Sequence, residues 1–173
     1  MRVFIAVEPP ADVRRNITAL IAELKEVGAG VKWVAGDNLH LTLKFCGSVA
    51  DDKVDRLAEL TVKSVSGTGG FKAKFAATGT FPPGRSPRVV WVGVSEGSEQ
   101  LAALAKKLGE AKFTPHVTIG RVKDQQGIEQ LQYKLAGYKD PQFGEAEIDS
   151  VKIMKSTLTP TGPVYEMIKE VKL

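Results

Sequence analysis

What the 173-residue sequence has little of narrows the reading first. Its one cysteine, Cys46, rules out an intramolecular disulfide and a cysteine-based structural zinc site, so a reducing compartment, the cytoplasm, is the expected location. No apolar run approaches the roughly 18 residues of a membrane span, and membrane contact is not expected. The opening segment reaches Glu8 after five consecutive apolar residues, too few for a secretory signal. Low-complexity tracts and linkers are absent, as is the H-E-x-x-H spacing of zinc hydrolases. Histidine, the side chain best suited to proton transfer near neutral pH, occurs only twice, at His40 and His116.

What is present is the composition of a globular protein, 43% apolar and 25% charged, which excludes disorder, collagen and coiled coil. The length fits one domain over residues 1–173, and a monomer is expected. A net charge of +4 is compatible with RNA or a nucleotide as partner without selecting either.

Apolar periodicity predicts a buried strand over 3–7 and a helix carried by Val13, Ile17, Leu20, Ile21, Leu24 and Val27, ended by Gly28. It then predicts a strand over 31–34 and a half-buried strand over 39–45. Asp51 or Asp52 is expected to cap a second helix through Val54, Leu57, Ala58, Thr61 and Val65. Strands over 72–81 and 88–94 flank a proline-rich turn, and Ser98 is expected to cap a third helix. A strand over 116–122, a helix over 128–135 and long strands over 145–155 and 164–171 complete the chain. Hairpin-like pairs mixed with helices predict an α+β fold rather than a doubly wound parallel sheet.

Both histidines open the same kind of tetrapeptide, His40-Leu-Thr-Leu43 and His116-Val-Thr-Ile119. In a strand, residues i and i+2 share a face, so each segment offers an imidazole and a hydroxyl on one side and two apolar anchors on the other. The repeat predicts two similar lobes facing each other across a groove, with four polar groups converging on one small ligand. Two imidazoles suit a reaction that removes a proton on one side and delivers one on the other, and two threonine hydroxyls suit phosphoryl oxygens. Metal hydrolysis is less natural, because two histidines without a carboxylate cluster leave a zinc site short of ligands. A serine or cysteine triad is unsupported, and Cys46 reads as a small core residue.

The paired motifs resemble those of the two-histidine (2H) phosphoesterase superfamily. The wider context resembles its RNA 2′,3′-cyclic phosphodiesterase branch, also called 2′-5′ RNA ligase. That context comprises Trp33-Val34, Asn38 to Phe45 with Gly47, Arg88-Val-Val-Trp91, Pro115 to Arg121 and Ser156 to Tyr165. The resemblance implies a bilobal fold of antiparallel sheet and helices, pseudo-symmetric about a central cleft. It implies His40 as proton donor to the leaving 3′ oxygen, His116 as the base that activates water, and a 2′-phosphomonoester product. Thr42 and Thr118 would hold the non-bridging oxygens, with no metal or other cofactor. Partners would be RNA ends bearing a 2′,3′-cyclic phosphate, cyclic nucleotides or, in the joining direction, tRNA halves. A module that binds nucleotides or RNA 3′ ends with little turnover is the alternative. Cys46 stands where the family usually has leucine, a packing change.

Other residues carry weaker expectations. Arg121 could bind phosphate bidentately, although strict alternation points it away from His116 unless Gly120 permits a bulge. Lys44 shares the His40 face by alternation and reads as a solvated rim residue. Arg85 and Arg88 flank the proline-rich turn and read as solvated. Trp33 and Phe45 could stack a base but read as core, and Tyr165 reads as packing.

Overall fold

The computed structural model describes all 173 residues. Strand β1 (Arg2–Val7) is apolar after its first residue and buried on both sides. Val3, Ile5 and Val7 join the main core, whereas Phe4 and Ala6 lie on the opposite face. The chain continues through α1 (Ala11–Lys25), β2 (Val31–Trp33), β3 (Leu41–Ser48), α2 (Val54–Val65), β4 (Phe71–Phe81) and β5 (Val89–Glu96). Then come α3 (Ser98–Lys107), β6 (His116–Val122), α4 (Ile128–Gly137), β7 (Gln142–Ile148), β8 (Ser150–Thr159) and β9 (Gly162–Lys172).

The strands form two sheets, ordered β3-β1-β8-β9 and β2-β6-β5-β4-β7, with every pairing antiparallel. This is the expected α+β fold. The apolar stripes of the helices bury Val13, Ile17, Leu24, Leu101, Leu104 and Leu131 in one cluster of 31 residues. Val3, Ile5, Val90, Val92, Val117 and Ile119 meet that cluster from the sheets. Helices therefore cover one face of each sheet and leave the other for a cleft. The two sheets touch through β3 and β6, the strands that carry the motifs.

Three expectations need correction. The long strand over 145–155 is two strands interrupted at Asp149, with β7 on the edge of the second sheet and β8 inside the first. No proline or glycine marks the crossing, so the sequence pattern runs on through it. Neither aspartate caps α2: Asp51 and Asp52 lie in a 3-10 turn, Asp51–Lys53, and no side chain caps the helix. Ser98 is the first residue of α3 rather than its cap. Gly97 occupies that position at φ 84°, where an added Cβ would come within 2.5 Å of the Lys72 carbonyl oxygen. The lobes also differ from the two halves of the sequence, because β2 joins the second sheet and β8 and β9 return to the first.

Candidate active site

Each histidine is held by the carbonyl two residues before it. His40 Nδ1–H donates to the Asn38 carbonyl at 2.7 Å, and His116 Nδ1–H donates to the Thr114 carbonyl at 2.8 Å. A carbonyl only accepts, so the neutral ring keeps its proton on Nδ1 and leaves Nε2 for chemistry. The Asn38 side-chain amide donates to the Pro163 carbonyl at 3.0 Å, which ties this turn to β9.

Each imidazole also stands edge-on to an aromatic wall. The His40 ring meets Tyr165 at 5.1 Å and 87°, and the His116 ring meets Phe81 at 5.1 Å and 86°. Phe4 stands behind the first pair, 4.8 Å from His40 and 5.0 Å from Tyr165. Trp91 stands behind the second, 5.2 Å from Phe81. Such contacts fix ring orientation through the aromatic quadrupole. Sequence reading missed these walls: an all-apolar strand such as β1 does not announce which face Phe4 takes, and Tyr165 read as packing.

A bulge follows both motifs at the same position. Across Ala6 and Ile5 of β1, β3 advances from Thr42 to Lys44, which leaves Leu43 unpaired. Across Trp91 and Val90 of β5, β6 advances from Thr118 to Gly120, which leaves Ile119 unpaired. Each bulge resets the side-chain alternation that follows. His116, Thr118 and Arg121 then pair with Gly93, Trp91 and Val89, every second residue of β5, so all three share the cleft face. Lys44 is turned away from the His40 face that alternation assigned to it. It pairs with Ile5, and its Nζ donates to the Leu108 carbonyl at the end of α3, where a cation complements the helix dipole. Phe45 takes the cleft face in its place and is 68% exposed, contrary to the core expectation. Trp33 keeps that expectation, packing over Gly120 and against the core.

The electrostatics join the two sheets. Burial lowers the His40 pKa below the usual imidazole value, and the positive charges of Arg121 and His116 lower it further. The Asn38 carbonyl and Glu8 oppose that shift. Burial raises the Tyr165 phenol, against the pull of Arg121 and Arg2. The charge of Arg121 thus bears on both His40 and Tyr165. Neither Arg121 nor the hydroxyls of Thr42 and Thr118 are spent on an ion pair or side-chain hydrogen bond within the protein.

A pocket of about 210 Å³ lies against His116, walled by Phe81, Trp91, Pro115 and Thr114. The Trp91 Nε1–H is buried without an acceptor, a donor left over beside the second histidine. A larger cavity of about 360 Å³ lies between Glu8, Arg14, Asp149 and Lys152. Its charges are largely paired with one another: Glu8 binds both Arg14 and Lys152. Nowhere do three or more His, Cys, Asp or Glu side chains gather as a metal-binding group. Cys46 is half-buried with its thiol pKa raised by burial, as suits a packing residue. Arg85 and Arg88 are exposed, as expected.

A model of the 2′-5′ RNA ligase superfamily matches residues 6–159. An RNA 2′,3′-cyclic phosphodiesterase of Methanocaldococcus jannaschii is 37% identical, over 98% of this chain and 99% of its own length. The enzyme of that name from Thermotoga maritima is 36% identical, over 98% and 94% respectively. Among solved structures, TT0787 of Thermus thermophilus superposes with a TM-score of 0.82 at 27% identity, covering 100% of this chain and 98% of that one. Escherichia coli LigT bound to 3′-AMP superposes with a TM-score of 0.80 at 26% identity, covering 99% and 97%.

Proposed function

The chain belongs to the 2′-5′ RNA ligase superfamily, and on that premise we propose that it hydrolyses RNA and nucleotide 2′,3′-cyclic phosphodiesters to 2′-phosphomonoesters. The observation that carries the reading is the duplicated histidine arrangement: two imidazoles, each with Nδ1 committed to a carbonyl and Nε2 free, with the charge of His116 bearing on His40. In this reading His116 Nε2 takes a proton from water. The hydroxide oxygen attacks phosphorus, the bond to the 3′ oxygen breaks, and that oxygen receives a proton from His40 Nε2. Thr42, Thr118 and Arg121 stabilise the charge that gathers on the non-bridging oxygens as phosphorus becomes five-coordinate. Ring strain in the five-membered cyclic diester lowers the demand on the catalyst, so no metal is required.

The lowered pKa of His40 favours its neutral form in the free protein, the form of a base rather than a donor. A bound phosphate monoanion offsets the charges of Arg121 and His116 and returns His40 toward its protonated form, which restores the donor role. The protein acts in the cytoplasm as a monomer and one folding unit, residues 1–173. Its partners are cyclic-ended RNA, tRNA halves among them, and cyclic nucleotides.

Incubating the purified protein with a 2′,3′-cyclic nucleotide, with and without EDTA, tests the reading. Turnover insensitive to EDTA is expected. Tight binding without turnover would make the protein a nucleotide-binding module. With a 5′-hydroxyl RNA added, a 2′-5′-joined product would make ligation the relevant direction.

A further inference from the structure

Beyond the histidines, the cleft face of the first sheet carries a second set of unspent donors. Rows of directly paired residues cross this sheet at about 6.8 Å spacing, two residues of strand rise. The innermost row is Thr42, Ala6, Lys152 and Glu170, and the next is Phe45, Phe4, Met154 and Met167. The third is Ser48, Arg2, Ser156 and Tyr165. A second bulge at Cys46 returns Ser48 to this face. Arg2 is exposed and enters no ion pair, and the hydroxyls of Ser48 and Ser156 on the two neighbouring strands have no hydrogen-bond partner. Three donors on three adjacent strands, with no carboxylate among them, form a surface complementary to a phosphodiester.

We propose that Ser48, Arg2 and Ser156 form a subsite for the phosphodiester that precedes the terminal nucleotide, so that the protein takes polymer ends in preference to free cyclic nucleotides. The inference rests on the proposed function, specifically on His40 as donor to the 3′ oxygen, because in-line attack then puts the ribose and the strand behind it on the His40 side. Arg121 is the inner cation, on the cleft face of β6 with His116 and Thr118, and Arg2 is the outer one, in one row with Ser156 and Tyr165. The row between them exposes Phe45 at 68% and Met167 at 56%, apolar surface that is costly to leave in water and suited to stacking a base. Arg2 and Ser48 lie two rows, about 13 Å along the strands, beyond Thr42, so the phosphate that a mononucleotide places against Thr42 does not reach them. The next phosphodiester of an RNA strand does.

The test compares kcat/KM for a short cyclic-ended oligonucleotide and for the cyclic mononucleotide in wild type, Arg2→Gln and the Ser48→Ala/Ser156→Ala double variant. Lys63→Gln on the helix side serves as the charge control. The oligonucleotide preference of the wild type should fall about tenfold in Arg2→Gln and less in the double variant, and persist in the control. Losing one phosphate contact should also flatten the log–log salt dependence of oligonucleotide binding by about 0.7. A preference within twofold of wild type in Arg2→Gln, with an unchanged salt slope, overturns the subsite and leaves the hydrolase reading standing. If wild type turns over neither substrate, anisotropy with a 3′-phosphorylated oligonucleotide decides. Weaker binding by Arg2→Gln sustains the strand path while the hydrolase reading falls, and equal binding overturns the path too.

Discussion

Each histidine is ready for proton transfer because a carbonyl fixes its tautomer, committing Nδ1 and leaving Nε2 to the substrate. Removing either imidazole by His40→Ala or His116→Ala should cost about 10²–10⁴-fold in turnover of a cyclic nucleotide, with the far-ultraviolet spectrum unchanged. A substrate whose 3′ bridging atom is sulfur separates the roles, because a thiolate leaves without a proton. His40→Ala should recover most of its loss on that substrate and His116→Ala should not; the opposite pattern reverses the assignment. The same burial that lowers the His40 pKa links it to stability. The unfolded chain binds this proton more readily than the folded one, so this contribution is present above the unfolded value of 6.5 and is lost as pH falls through the lower folded value. Thermal denaturation followed from pH 8 to 5 should show a decline that is smaller in His40→Asn; an equal decline places the sensitivity elsewhere. The motif residues were legible in the sequence because spacing alone puts His40 with Thr42 and His116 with Thr118. Arg2, Ser48 and Ser156 were not, since their meeting depends on which strands become neighbours.

At the level of the element, the feature that period-2 reasoning alone does not deliver is the bulge, which Gly120 announced in β6 and nothing announced in β3. Alternation gave Lys44 to the cleft and denied it to Arg121; one unpaired residue in each motif strand, Leu43 and Ile119, inverts both. Gly120 is part of that device, because a Cβ there would stand 2.6 Å from Val31 Cγ1 and 2.8 Å from Trp33 Cε3. Gly120→Ala should therefore push β2 away from β6 and destabilise the protein by about 1–3 kcal/mol in urea denaturation. Turnover should fall as well, because the strand that aims Arg121 is disturbed. A variant as stable as wild type would mean that Trp33 gives way freely. Helices were legible from their apolar stripes, but their caps were not. The residue types at 51, 52 and 98 suit capping, while the backbone uses a 3-10 turn and Gly97 instead.

At the scale of the whole molecule, the chain is threaded so that neither sheet is made of one continuous stretch. Strand β2 leaves the first half for the second sheet, and β8 and β9 return to the first. One apolar cluster of 31 residues receives side chains from both sheets, which is the basis for treating residues 1–173 as one folding unit. Unfolding monitored by Trp33 and Trp91 fluorescence and by circular dichroism should give coincident transitions; separated midpoints would mean that the lobes fold apart. The repeat of the histidine motif made two lobes legible. Their interleaving was not, because the crossing at Asp149 carries no turn residue. That threading also sets the chemistry, since it brings β3 and β6 together and with them the two histidines. The most direct test is the identity of the product from an RNA oligonucleotide ending in a 2′,3′-cyclic phosphate. Wild type should give a 2′-phosphate end, and His40→Ala or His116→Ala almost none. A 3′-phosphate end, or wild-type yield from either variant, would contradict the proposed function.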